Sequence, residues 1–165
     1  LETPDAALAE FDQTGRIKWA TDLAEIPAKY GVKNVYGEIG TAFATCAVAS
    51  PRFAAAFLGT LVRGLGADHV VWGSDSVWYG SPQWQIEAFR RCQIPESLQS
   101  KFGYKPISDK DRAQIFGLNS ARLFDINVKD AHKEIPGDAL TRMKMAYQAE
   151  GAEPSLTQYG WVAEA

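Results

Sequence analysis

The stretch HVVWGSDSVWY, residues 69–79, decides the fold of this chain. It opens as an unbroken apolar run, Val70-Val71-Trp72, which is typical of a strand covered on both faces. Small polar residues follow at once, and Asp75 is the carboxylate among them. Because α/β enzymes carry their chemistry at the carboxyl ends of parallel strands, Asp75 is the first candidate functional residue.

A second apolar stretch lies upstream and predicts another strand. It is NVYGEIG, residues 34–40, and the clearest helix of the chain separates it from the first stretch. In that helix Phe53, Phe57 and Leu61 recur every four residues after a Ser50-Pro51 start signal. A strand, a helix and a strand in this order form a βαβ unit, so we expect the two strands to be parallel.

Start and stop signals predict further helices around this unit. Pro27 is expected to kink or restart one of them, and Gly117 and Asn119 are expected to interrupt another. The tail is expected to dock through Tyr159 and Trp161. The predicted helices start at Thr3-Pro4, Thr21-Asp22, Ser81-Pro82, Ser108 and Pro136-Gly137, and they end near Gly15, Gly31, Pro95, Phe124 and Gly151.

Composition narrows the class of protein. With 165 residues, 46% hydrophobic and 22% charged, the chain has the make-up of a soluble globular protein with a real core. It has no cluster of Lys and Arg that would favour nucleic acid, and no apolar run near the roughly 20 residues that span a bilayer. Cys46 and Cys92 are in no CxxC pair, so we expect two reduced thiols and a cytoplasmic location.

Two buried parallel strands do not make a sheet, since parallel sheets are covered on both faces and usually have four or more strands. We therefore expect further strands upstream of Leu1. A complete (β/α)8 barrel takes about 250 residues. The sequence thus predicts an α/β fold that is the C-terminal portion of a TIM barrel, helix-rich, with about two parallel strands.

Four segments resemble one known family. GADHVVWGSDS, residues 66–76, resembles the end of the last barrel strand in the amidohydrolase superfamily, in the amidohydrolase-2 branch of metal-dependent hydrolases and related decarboxylases. KYGVKNVYGEIGTAF, residues 29–43, resembles the preceding helix end and strand, and IFGLNSARLFDI, residues 115–126, the closing helix. DALTRMKMAY, residues 138–147, is similar to the C-terminal extension of some members. The resemblance implies a barrel part over residues 1–126 and a helical extension packed on it over residues 127–165.

The resemblance also implies a chemistry for Asp75. This residue is expected to bind a divalent metal, zinc in the intact parent, and to help activate the metal's water, because a carboxylate can both coordinate zinc and accept a proton. The reaction would be hydrolysis of a C–N or C–O bond in a small-molecule substrate. Trp78 and Tyr79 are candidates for the substrate-binding wall, and packing within the loop is the equal alternative.

The histidines depart from the family's pattern, in which earlier strands supply the histidine ligands. This chain has only His69, at the start of its strand and so opposite Asp75, and His132 in the tail region. A catalytic zinc takes about three protein ligands. We therefore expect the chain alone to bind no catalytic metal and to be inactive alone.

Residues after the first predicted strand are weaker candidates. For Glu38, a buried acid with a structural partner is favoured over a residue that lines the barrel mouth. Thr41, Phe43 and Thr45 are expected on one face and are pocket candidates.

Two other functions stay open at this point. One is a decarboxylase of the same family, and the other is a barrel fragment without catalysis that acts as a scaffold or interaction module. The strands near Val35 and Val71 are expected to leave apolar faces and edges uncovered. Self-association, or pairing with the missing N-terminal part, is the predicted consequence.

Overall fold

The computed structural model of the protein describes residues 3–131 and 137–152. The chain divides into two compact units, Leu1–Ile126 and Asn127–Ala165. Helices dominate the described part, and its strands form one two-stranded sheet. The elements of the first unit are α1 (Pro4–Thr14), α2 (Lys18–Tyr30), β1 (Gly37–Glu38), α3 (Gly40–Cys46), α4 (Pro51–Leu65), β2 (Val70–Val71), α5 (Ser76–Tyr79), α6 (Gln83–Arg91), α7 (Glu96–Phe102), α8 (Asp109–Ala113) and α9 (Asn119–Leu123).

The two strands are parallel, as predicted. Gly37 pairs with Val70 and Glu38 with Val71, and the Ile39 N–H donates to the Val71 carbonyl at 3.2 Å. The predicted extent of β1, residues 34–40, is too long because α3 already begins at Gly40. Two helices, α3 and α4, therefore lie between the strands where one was expected.

Helix α4 forms the centre of the core. Every residue from 53 to 61 is buried, and α2 packs along this helix. Beside β2, four aromatic rings pack with centroid distances of 4.7 to 5.9 Å; they belong to Phe43, Trp72, Phe89 and Phe116. Such edge and tilted pairs add to the free energy gained from burial. The residue that follows β2, Trp72, is thus part of a packed aromatic cluster.

The closing helix stays helical where an interruption was predicted. Residues Gln114–Leu118 form a π-helical turn that leads directly into α9. Asn119 is buried, and its Nδ2 donates to the carbonyls of Ala67 (2.8 Å) and Val70 (2.7 Å). The Arg122 guanidinium donates to the Asp68 carbonyl at 2.5 Å. The closing helix therefore holds the short 3-10 turn Ala67–His69, which leads into β2.

The helix starts follow their capping residues closely. Thr3 caps α1, and Ser108 and Asp111 form a capping box at α8. Helix α2 begins at Lys18, earlier than the predicted Thr21-Asp22, because the buried Ile17 already anchors its start. The same helix continues through Pro27.

The second unit contains α10 (Val128–Ala131) and α11 (Ala139–Ala149) in its described part. Asp138 caps α11 by accepting a hydrogen bond from the Thr141 N–H at 2.6 Å. The predicted docking residues Tyr159 and Trp161, and His132, lie outside the described residues. No helix within residues 3–131 and 137–152 is long and apolar enough to cross a membrane.

Both cysteines are free thiols, as expected. Burial, with a smaller contribution from the nearby Cys92, raises the pKa of the Cys46 thiol to about 12. Burial also raises the pKa of the Cys92 thiol. Since the thiolate is the nucleophile, neither thiol is suited to covalent chemistry near neutral pH.

The contact between α2 and α4 depends on a glycine. A Cβ on Gly64 would lie 2.5 Å from the Ala24 carbonyl oxygen and 2.6 Å from the Ala24 Cβ, and neither can move without shifting α2. On Gly117, in contrast, a Cβ would meet nothing within 4 Å. The two glycines make a matched pair for measuring how tightly these helices pack.

We predict that Gly64→Ala destabilises the protein by about 1–3 kcal/mol, the usual cost of overpacking. Gly117→Ala is expected to be neutral or stabilising by up to about 1 kcal/mol, because alanine favours helix more than glycine does. Urea unfolding followed by circular dichroism measures both free energies. Equal unfolding midpoints for the two variants would contradict the close contact.

Candidate functional site

The carboxyl ends of the two strands bring three polar side chains together. Glu38 ends β1, Thr41 lies in the first turn of α3, and Asp75 follows β2. The Thr41 hydroxyl donates a hydrogen bond to Asp75 Oδ2. The Gly40 N–H donates to Glu38 Oε1 at 2.7 Å. The structure thus bonds Asp75, which was predicted as functional, to Thr41 and brings the Glu38 carboxylate near both, although the sequence ranked these two residues lower.

Two glycines make room for the carboxylates. A Cβ on Gly40 would lie 2.7 Å from Glu38 Oε1 and 3.1 Å from Asp75 Oδ2. On Gly73, a Cβ would overlap Glu38 Oε1 and lie 2.8 Å from its Cδ. Both carboxylates therefore converge on Gly40, and a side chain at either position would displace the carboxylate of Glu38.

The Glu38 carboxyl group is electrostatically disfavoured as an anion. Loss of hydration is the main cause that raises its pKa; the Gly40 N–H lowers the pKa, and the Asp75 charge raises it further. Glu38 as a whole is exposed, but its carboxyl end is enclosed by Gly40 and Gly73. The pKa of Glu38 is higher in the folded than in the unfolded protein. The free energy of unfolding therefore falls as the pH rises through the folded-state pKa of this group.

For Glu38, the favoured prediction of a buried acid with a structural partner is wrong about burial of the residue, but the partner is present, because the carboxylate accepts the Gly40 N–H. Strand β1 ends at Glu38, so the side chain lies at the edge of the sheet, and the residue is exposed. Phe43 does line a pocket, but not one that contains Asp75: α3 turns this ring into the core, where it is 1% exposed and lines a cavity between α3, α4 and α6. Thr45 donates to the carbonyls of Thr41 and Ala42 in its own helix. Of the three candidates after β1, the structure joins only Thr41 to Asp75.

The backbone of Asp75 is unusual. Its φ of 47° and ψ of 35° are left-handed, a conformation that costs an L-residue roughly 1–2 kcal/mol. Asp75 occupies the N-cap position of α5, yet its side chain caps no helical N–H and contacts Thr41 instead. A capping role therefore does not account for the aspartate.

A side chain that the sequence did not single out binds the loop before Asp75. Gln85 in α6 is fully buried, and its Nε2 donates to the Ser74 carbonyl at 2.7 Å. Its Oε1 is buried without a hydrogen-bond partner among the described residues. Gln85 could have been identified from the sequence, because it is a polar residue among the apolar positions of a short predicted helix.

The comparisons with known proteins bear on this geometry. The family model described as Amidohydrolase matches residues 18–126. The chain belongs to the amidohydrolase family. The match is of the amidohydrolase-2 type, and it ends at the last residue of the first compact unit. No curated protein matches the chain, and no solved structure does.

Family membership confirms the resemblance read from residues 29–43, 66–76 and 115–126, and it extends the matched region to the start of α2. It supports a hydrolase of the amidohydrolase type at the level of the family. Asp75, at the carboxyl end of β2, is the carboxylate that the resemblance implicates. Its role as metal ligand and proton acceptor stays a prediction.

Amidohydrolases typically bind divalent metals, so we tested whether the residues at the strand ends fit such an ion. Glu38 and Asp75 offer two carboxylates, but no group of three or more His, Cys, Asp and Glu in the described ranges could hold a metal. His69 lies in the 3-10 turn before β2, where its Nε2 is 3.0 Å from the Lys33 carbonyl oxygen. The described residues therefore do not form a complete metal site.

The predicted substrate wall lies directly after Asp75. Helix α5 carries Trp78, which is 81% exposed, and Tyr79, whose carbonyl accepts a hydrogen bond from the Trp84 indole at 3.3 Å. Val77 beside them is 87% exposed. A cavity of about 290 Å³ lies elsewhere, between α3, α4 and α6, and Asp75 is not among its lining residues. Substrate binding by Trp78 and Tyr79 stays a prediction.

We predict that Gly73→Ala displaces the Glu38 carboxylate, because the new Cβ would occupy its position. The ¹³C chemical shift of the Glu38 carboxyl carbon should change in an NMR spectrum of the full chain. The unfolding free energy should fall by less than about 1 kcal/mol beyond the Gly→Ala backbone effect, since a flexible side chain can move aside. Gly117→Ala is the control. An unchanged Glu38 signal in Gly73→Ala would contradict the close approach.

Proposed function

We propose that this chain contributes Asp75 to the catalytic centre of a metal-dependent amidohydrolase that hydrolyses C–N or C–O bonds. The observation that carries the proposal is the Asp75 carboxylate at the carboxyl end of a parallel strand, held by Thr41, in a member of this family. Carboxylates in that position are where α/β enzymes carry their chemistry.

The proposed fold context is the last part of a (β/α)8 barrel. The parallel register of β1 and β2, and the helices that follow each strand, support this interpretation. In such a barrel the loops after all strands line one opening. Donors from outside the described residues would then complete a site with Asp75, which agrees with the shortage of ligands near it.

Asp75 has the right chemistry for a ligand or a proton acceptor. Oδ2 accepts the Thr41 hydroxyl, while Oδ1 has no hydrogen bond within the part of the chain that the structure describes. A carboxylate with one oxygen engaged and one available can coordinate a cation or accept a proton. We propose zinc as the ion, and we place it in the completed site, not in these residues alone.

The proposed substrate is a small molecule with an apolar portion. The exposed Val77 and Trp78 follow Asp75 within three residues, so an apolar group bound there would lie beside the reacting bond. Apolar walls with a few convergent polar groups are the usual make-up of small-molecule sites. Tyr79 is the other candidate for this wall.

We predict that Asp75→Asn weakens binding of a divalent ion by at least about 100-fold and abolishes hydrolysis, because loss of a ligand exceeds the roughly 10–100-fold effect of its supporting partners. The test expresses the chain together with any coding sequence in the same reading frame, so that ligands from outside the described residues are present. Metal content and affinity for zinc are measured, and amide and ester hydrolysis is assayed. Release of CO2 from aromatic and unsaturated acids identifies the decarboxylase alternative.

Asp68→Asn is the matched control. Asp68 precedes the same strand at its opposite end, in the turn that leads into β2. This substitution should leave metal affinity and hydrolysis unchanged. If the Asp75→Asn protein binds zinc as tightly as the parent, Asp75 is not a ligand. If neither metal nor activity is found in any form, the scaffold function gains support.

We also propose that β1 pairs with a further strand of the same fold, from a second copy or from the rest of the barrel. Within the described residues β1 has β2 as its sheet neighbour on one side, so its other edge is open to pairing. Exposed apolar side chains of the first unit add a surface to cover: Leu118, Leu123, Phe124 and Ile126.

Light scattering over a dilution series tests this pairing. We expect the 165-residue chain to form species larger than its 18.1 kDa monomer mass, which dissociate on dilution. The expected cause is the open strand edge together with the exposed apolar residues. A monodisperse 18.1 kDa species at all concentrations would contradict the proposal.

A further inference from the structure

We propose that Thr41 is the positioning residue of Asp75. Its hydroxyl donates to Oδ2. In this role it fixes the carboxylate so that Oδ1 can face the reacting group. The inference rests on the proposed function of Asp75. It adds a residue that acts through the aspartate without contacting the substrate.

Thr41 belongs to a helix that packs against the core. It lies in the first turn of α3, and this helix starts where the Gly40 N–H binds Glu38. The opposite side of α3 is anchored in the core, with Phe43 1% exposed and Cys46 fully buried. A donor on an anchored helix holds its partner more precisely than a donor on a loop.

Asp75 needs such a support. It lies in a short non-helical segment between β2 and α5, its backbone is left-handed, and its side chain has no capping bond. The Glu38 carboxylate is close by, since a Cβ on Gly40 would be near both carboxylates. Like charges repel at this range, so an unheld Asp75 side chain would rotate away from Glu38. The Thr41 hydroxyl opposes that rotation.

The chain offers matched variants. Thr41→Val removes the hydroxyl and keeps the branched shape, whereas Thr41→Ser keeps the hydroxyl. Thr45→Val is the control, because Thr45 lies one turn further on the exposed side of α3 and its hydroxyl binds backbone carbonyls only. All variants are made in the full chain.

The first readout is the side-chain rotamer of Asp75, from its Hα–Hβ NMR couplings and the ¹³C shift of its carboxyl carbon. In the parent protein, Thr41→Ser and Thr45→Val, we expect couplings of a single rotamer. In Thr41→Val we expect averaged couplings and a shifted carboxyl signal. Parent-like couplings in Thr41→Val overturn the inference, whatever the enzyme's reaction is.

The second readout is hydrolysis in the assay that tests Asp75→Asn. Thr41→Val should lower kcat by about 10–100-fold with KM within about twofold, since misplacement of a catalytic group costs up to about 10²-fold. Thr41→Ser should recover most of the loss, and Thr45→Val should match the parent. If Asp75→Asn abolishes activity while Thr41→Val leaves kcat unchanged, the positioning role is wrong and the proposed function stands. If Asp75→Asn leaves activity intact, the proposed function fails, and with it the catalytic meaning of the contact.

Discussion

The parallel register of β1 and β2 is the constraint on which the site depends. Because Glu38 pairs with Val71, the residues that follow each strand leave the sheet at the same edge. Thr41 is then one helical turn past β1, and Asp75 is close enough to bind it. A slip of one residue would send alternate side chains to the opposite face. The contact between Thr41 and Asp75 therefore follows from the pairing and not from the loops alone.

Hydrogen bonds from the closing helix stabilise that register. Asn119 binds the carbonyls of Ala67 and Val70, and the Trp72 N–H donates to the Ile115 carbonyl at 3.0 Å. Each such bond between buried groups contributes about 1 kcal/mol, and leaving a carbonyl unpaired would cost more. A strand of only two ladder residues keeps its place because the neighbouring helix supplies these bonds. The segment that resembles the family's closing helix thus holds β2, the strand that leads to Asp75, in place.

Local signals in the sequence predicted the two parallel strands and several of the helices, but not α3, and they did not reveal the partners of Asp75. Apolar runs and caps identify β2, α4 and the start of α8, because local signals determine them. Helix α3 was missed because GTAFATC has no start signal before it, and the packing of Phe43 decides its form. Thr41 and Gln85 were ranked low or missed because their contacts span 34 and 11 residues. No local pattern encodes such pairings.

Several energetically unfavourable features lie together at the carboxyl edge of the sheet. Asp75 has a left-handed backbone, the Glu38 and Asp75 carboxylates approach the same glycine, and Gln85 keeps a buried Oε1 without a hydrogen-bond partner in the described part of the chain. Each feature disfavours folding on its own, and a stable scaffold alone would require none of them. Proteins tolerate such costs where a precise arrangement of reactive groups is needed, and they offset them with a well-packed core. The buried helix α4 and the aromatic cluster beside β2 provide that core. The local costs at this edge are one reason for the proposal that it has a catalytic use, since packing alone does not explain them.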